Sequence, residues 1–133
     1  MTLGVRGALF DPEGQVFLVR HSYVPGWYLP GGGVDPGETI EQAFAREMSE
    51  EGGFVIEGPP ELFGLYLNRG LSRRDHVALY VSRRWRVENP PKLPNLEIVE
   101  SGFFPVDALP EGATAATRRR LAEIAGAERS PDW

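Results

Sequence analysis

A helix with both ends written into the sequence governs the reading of this chain. Thr39 is a strong N-cap residue, and Gln42 three positions later completes a capping box that satisfies backbone N–H groups at the helix start. Gly52-Gly53 supplies the left-handed residue on which helices commonly end. The spacing predicts a helix over 40–51. At about 100° per residue, Ile40, Ala43 and Phe44 fall on one side. Glu47 and Glu51 continue that same side in the later turns, with Glu50 at its edge. Carboxylates at i and i+4 repel, and negative charge in the last turn opposes the helix dipole. Glutamates that merely face water belong opposite the apolar stripe. Their place on the stripe, at the unfavourable end, points to a cation over that face. With no cysteine in the chain and no histidine nearby in sequence, three carboxylates make a hard oxygen site suited to Mg2+ or Mn2+. No Asp-rich EF-hand loop is present.

The remaining sequence fits one ordinary domain over 1–133, with 41% hydrophobic residues and three tryptophans to build a core. The absence of cysteine excludes disulfides, thiolate zinc sites and thiol nucleophiles. No apolar run approaches the ~18 residues of a membrane span, and the N-terminus lacks the pattern of a signal peptide. A cytoplasmic protein with no membrane partner is expected, as a monomer or homodimer. The net charge of −5 argues against general nucleic-acid binding. It leaves room for a nucleotide, because a bound metal reverses the local sign.

Strands are expected over 3–10 and 15–21, joined by the turn Asp11-Pro12-Glu13-Gly14, and over 54–57, 61–68 and 75–87. A glycine-rich loop follows a short apolar piece within 26–38, and 88–94 is a proline-rich loop. Residues 102–106 read as a short edge strand and 113–127 as a C-terminal helix, with 117–121 as its solvated face. A mixed sheet with two helices is an α/β (α+β) sandwich.

From Gly32 to Phe54 the residues Gly32, Glu38, Arg46, Glu47, Glu50, Glu51 and Gly53 stand at the spacing G-x5-E-x7-R-E-U-x-E-E-x-G-U, with Met48 and Phe54 as the apolar U positions. The pattern resembles the complete Nudix box of the MutT-like Nudix hydrolases. It spans 23 of 133 residues, and the flanks Gly26–Gly32 and Leu96–Pro110 are similar to Nudix sequence as well. The resemblance implies an α/β/α sandwich with a central mixed sheet. It implies a Mg2+-dependent pyrophosphohydrolase that cleaves a nucleoside diphosphate linked to another moiety by attack of metal-activated water at phosphorus. Nucleoside triphosphates, nucleotide sugars, dinucleotide polyphosphates and capped RNA ends are candidate substrates. A non-catalytic nucleotide sensor of the same fold is the alternative, although such a protein would be expected to lose box glutamates. An isoprenoid diphosphate isomerase of this fold would use a cysteine, which the chain lacks.

The resemblance assigns Glu47, Glu50 and Glu51 to metal binding, with the backbone carbonyl of Gly31 as a further ligand. It pairs Glu38 with Arg46 across the loop–helix junction, and suggests Glu97, before Glu100, as general base or extra ligand. Gly31, Gly32 and Gly33 allow close approach of backbone to metal and phosphate. Arg6, Arg20, Arg69, Arg73 and Arg74 are candidate phosphate contacts, and Tyr23, Trp27 and Tyr66 candidate base-stacking rings. His21 and His76 are too isolated in sequence to define a site.

Overall fold

The computed structural model describes residues 2–133. The expected helix forms as α1, Ile40–Gly52. Thr39 and Gln42 make both capping-box bonds, at 3.1 Å and 2.9 Å, and Gly53 closes the helix with φ 71°. Among the described residues, nine strands and a second helix complete the order: β1 (Leu3–Leu9), β2 (Val16–His21), β3 (Trp27–Tyr28), β4 (Gly31–Gly33), α1, β5 (Phe54–Ile56), β6 (Glu61–Leu67), β7 (His76–Ser82), β8 (Trp85–Val87), β9 (Ile98–Phe104) and α2 (Ala115–Ile124).

The largest sheet runs β4-β1-β7-β6 and is mixed. β1 and β7 are parallel, with Leu3 opposite His76 and Leu9 opposite Ser82, while the β4–β1 and β6–β7 pairs are antiparallel. A second, antiparallel sheet runs β3-β2-β9, and β5 pairs with β8. The parallel pair is what a long crossover through α1 permits.

Two cores form because strand side chains alternate between faces. Val5 and Leu9 of β1, Phe17 and Val19 of β2, and Ala78 and Tyr80 of β7 pack against Ala43, Phe44 and Met48 of α1. Their neighbours Ala8, Val16, Leu18, Leu79 and Val81 pack on the other side with Trp27, Tyr66 and Leu121 of α2. The molecule is thus the expected α/β/α sandwich. Gly7 sets how closely α1 lies on β1: a Cβ there would stand 2.6 Å from Phe44 Cε1 and 2.7 Å from Met48 Sδ. Among the described residues no helix is long and apolar enough to cross a membrane.

Four expectations change. The glycine-rich loop is partly a strand, since Gly31, Gly32 and Gly33 pair with Arg6, Val5 and Gly4. Glycine is disfavoured in strands, but a Cβ on Gly31 would lie 1.9 Å from the Val5 carbonyl oxygen, so only glycine fits this pairing. The single strand over 75–87 is two, because Ser82 Oγ bonds the backbone of Arg84 and turns the chain from β1 towards β5. β9 begins at Ile98, well before 102, since it pairs with β2 along its length. The segment 117–121 is not a solvated face: Thr117, Arg120 and Leu121 are buried.

Candidate functional site

The last turn of α1 faces β4 and the end of β2. Glu51, only 4% exposed, accepts a hydrogen bond from the Gly31 N–H at 2.8 Å through Oε2. Its Oε1 is buried with no hydrogen-bond partner, and His21 Nε2 stands 4.0 Å away. Burial first, and the adjacent Glu47 carboxylate second, push the Glu51 pKa up to about 9, against the opposing pull of Arg6. Glu47 lies beside Gly32, where a Cβ would come within 2.5 Å of Glu47 Oε1. The absence of a side chain at Gly32 thus makes room for the Glu47 carboxylate. Glu50 stands apart, with its side chain 58% exposed and turned to Arg46 Nη1 at 3.4 Å. Among the described residues no three His, Asp or Glu side chains already converge as a metal cage.

Arg46 ties the cluster together. Its Nε and Nη2 bond both oxygens of Glu38, at 2.8 Å and 2.9 Å, and Nη1 bonds Glu47 at 2.9 Å. Nη2 also reaches the Gly33 carbonyl at 3.0 Å, so one guanidinium spans loop, strand β4 and helix. The Arg46 bonds, helped by the Asp35 N–H, hold the Glu38 pKa down to about 2.

The candidates outside the helix separate. Arg6 lies against Gly31, donates to the Leu29 carbonyl at 2.9 Å and acts on the charge of both Glu51 and His21. Arg20 is committed to Glu100 at 2.8 Å, and Arg69 to Asp132 at 2.8 Å. Arg73 and Arg74 lie on an exposed turn. Trp27 is a core residue: it is 8% exposed, packs edge-on against Phe104 at 4.9 Å, and offers no free face for a base. Tyr66 is likewise buried, donating its hydroxyl to Glu123. Tyr23 is 70% exposed beside the His21 ring. Glu97 is exposed and next to Ile98, the partner of His21 in β9, and its charge acts on the His21 imidazole.

Sequence reasoning missed His21. Its pKa is lowered, first by burial and then by Arg6, and its Nδ1 is buried without a partner. The signal was the alternation of β2: Phe17 and Val19 face α1, so the next residue in phase, His21, faces the end of α1. Also missed was a cavity of about 610 Å3 beside Arg6, walled by Tyr28, Leu71, Thr117 and Trp133. A neighbouring cavity of about 240 Å3 shares Arg6, Asn68, Leu71 and Trp133 with it and reaches Gly32 and Gly33.

Comparison with known proteins agrees with this architecture. The NUDIX domain family matches residues 1–124. The structure of a MutT NUDIX hydrolase from Burkholderia pseudomallei superposes with a TM-score of 0.77 at 26% identity, covering 92% of this chain and 97% of that one. A Bacillus subtilis protein provisionally named an 8-oxo-dGTP diphosphatase is 45% identical over 53 residues, which is 40% of this chain and 36% of that protein. An RNA pyrophosphohydrolase from Erwinia tasmaniensis is 35% identical over 80 residues, 60% of this chain and 36% of that protein. The chain thus spans about a third of the length of the curated relatives it matches. With the family's pattern matched across nearly the whole sequence and its fold reproduced, this chain belongs to the Nudix family.

Proposed function

We propose that the protein is a pyrophosphohydrolase, dependent on Mg2+ or Mn2+, that cleaves a nucleoside diphosphate linked to another moiety. The observation that carries this reading is the buried Glu51 carboxyl, with one oxygen unpartnered and a second carboxylate, Glu47, beside it. An uncompensated buried acid is costly in a purely structural role. The donors fit a hard divalent cation, since all are oxygens and the Gly31–Gly33 backbone leaves space against them. Glu47, Glu51 and the Gly31 carbonyl would hold it, with Glu50 joining directly or through water. The cation supplies charge for the diphosphate oxygens and a more acidic water.

The chain's own groups do the rest. The Glu38–Arg46 pair keeps loop and helix in register, so that the carboxylates stay positioned. Arg6 contacts the substrate's phosphates from the cavity side. Glu97 takes the proton from the attacking water, and His21, kept neutral by burial and Arg6, adds no competing positive charge. Nucleoside triphosphates, nucleotide sugars, dinucleotide polyphosphates and capped RNA ends are the substrates to compare.

The test is a substrate panel at fixed Mg2+, with products identified by mass. Turnover of at least one member that stops in chelator and returns with Mg2+ or Mn2+ is expected. Nucleotide binding without cleavage of any member would favour the alternative of a sensor.

A further inference from the structure

Arg120 has zero exposure in the middle of α2, an unusual place for a guanidinium. It lies 4.4 Å from the Tyr66 ring centre and 5.2 Å from that of Trp133. Its Nη1 donates to the carbonyls of Asp132 and Trp133 at 2.8 Å and 2.6 Å, and its Nη2 to Glu123 at 2.9 Å. Glu123 also receives the Tyr66 hydroxyl and the Ser130 N–H, each at 2.9 Å. The network holds the segment 130–133 against β6, where the Leu67 N–H donates to the Pro131 carbonyl at 2.8 Å and the Trp133 N–H to the Leu67 carbonyl at 2.9 Å. A buried charge pair is an expensive way to gain stability, and a more characteristic use is to fix one arrangement.

The arrangement fixed here is that of Trp133. Arg120 lies over its indole, and the Tyr66 ring meets it in an edge-to-face contact at 5.4 Å between ring centres. Trp133, half-buried, also lines both cavities beside Arg6, in company with Leu71, which is 67% exposed. An aromatic face and an uncovered apolar side chain suit a flat, apolar-faced ligand. Arg6 joins this wall to Gly31, whose N–H holds Glu51. A nucleotide would then run from a base in the cavity, past Arg6, to a diphosphate at the carboxylates.

Resting on the hydrolase reading for the position of the diphosphate, we infer that Trp133 is the stacking platform for the substrate's nucleobase, and that Arg120 is the positioning residue that holds it there. Stacking of a base on an aromatic side chain implies roughly 10- to 100-fold in affinity.

The experiment is calorimetric binding, with Mg2+, of the α,β-methylene analogues of ATP, GTP, CTP and UTP, and of base-free tripolyphosphate. Trp133→Ala should weaken the tightest nucleotide roughly 10- to 100-fold. Trp133→Phe should restore most of it, and tripolyphosphate should bind all three proteins alike. Arg120→Met combined with Glu123→Gln should behave like Trp133→Ala. Equal nucleotide affinity in wild type and Trp133→Ala, equal losses for nucleotide and tripolyphosphate, or no nucleotide binding at all would overturn the inference. Native nucleotide affinity in the Arg120/Glu123 variant would overturn the positioning role. Binding is read without turnover, so a protein that binds as expected but cleaves nothing fails the hydrolase reading alone. One that cleaves with unchanged KM in Trp133→Ala fails this inference alone.

Discussion

Replacing Glu51 by Gln should stabilise the metal-free protein and remove most of its activity. Glu51 has a folded-state pKa of about 9 against an ordinary value of 4.5, chiefly because burial disfavours its charge. Between those values the folded protein holds a proton that the unfolded chain has released. A group with a raised folded pKa contributes fully at low pH and loses that contribution as pH rises, so stability falls by about 1.4 kcal/mol per pH unit across this window. At pH 7 the accumulated cost is about 3 kcal/mol, and at pH 5 it is below about 1 kcal/mol. Gln carries no proton to lose. Its carbonyl can keep the Gly31 bond, and its amide can donate towards Glu47. In chelator the variant should therefore melt roughly 10 °C above wild type at pH 7 and only a few degrees above it at pH 5. With saturating Mg2+ the gap should narrow or reverse, because metal binding stabilises the wild type alone. In the same samples kcat should drop on the order of 10²–10³-fold. The assay is a matched set of thermal melts with and without chelator from pH 5 to 8, together with kcat. A wild-type-minus-variant difference that does not change with pH would mean that Glu51 carries no buried proton, and near-native kcat in the variant would mean that it holds no catalytic cation.

Other substitutions probe different parts of the arrangement. Arg46→Ala removes bonds to Glu38, Glu47 and the Gly33 carbonyl together, and should lower both kcat and melting temperature, the latter by roughly 5 °C. Because Arg46 holds the Glu38 pKa down to about 2, its contribution is present above the ordinary carboxylate value of 4.5 and disappears as pH falls through about 2; acid titrations monitored by circular dichroism should show that part missing in the variant. Gly31→Ala and Gly32→Ala should part company. The first drives a Cβ into the Val5 carbonyl and should fail to fold or melt far lower; the second meets first the Glu47 carboxylate, the end of a side chain that can shift, and should keep a melting temperature within a few degrees while losing at least ~10-fold in kcat. Paired melts and kinetics distinguish them.

The sequence carried the site wherever its chemistry is local. Thr39, Gln42 and Gly53 fix the ends of α1, and helical periodicity alone puts Glu47 and Glu51 on the buried face beyond Phe44, with Glu50 at its edge. The pairing of Glu38 with Arg46, implied by the family resemblance, spans eight residues and is made by two bonds across the loop–helix junction. What depended on distant partners was hidden. His21 meets Glu51 only because β2 ends beside α1. Arg120 has the composition of a surface residue, and only the return of the chain past Tyr66 buries it. Trp27 has the character of a base-stacking ring, but the β2–β3 pairing and Phe104 enclose it. Gly31–Gly33 looked like a loop because strand propensity cannot register a contact in which a side chain would strike the Val5 carbonyl.

Divalent-cation binding at Glu47 and Glu51, with loss of the proton that burial keeps on Glu51, is the proposal on which the hydrolase reading rests. Its most direct test is calorimetric titration of Mn2+ into metal-free protein, repeated in buffers of different ionisation enthalpy. Saturable binding that releases about one proton at pH 7 and progressively fewer above pH 9 is expected, with both binding and release lost in Glu51→Gln. Saturable binding in Glu51→Gln equal to wild type, or wild-type binding with no proton released at pH 7, would contradict it.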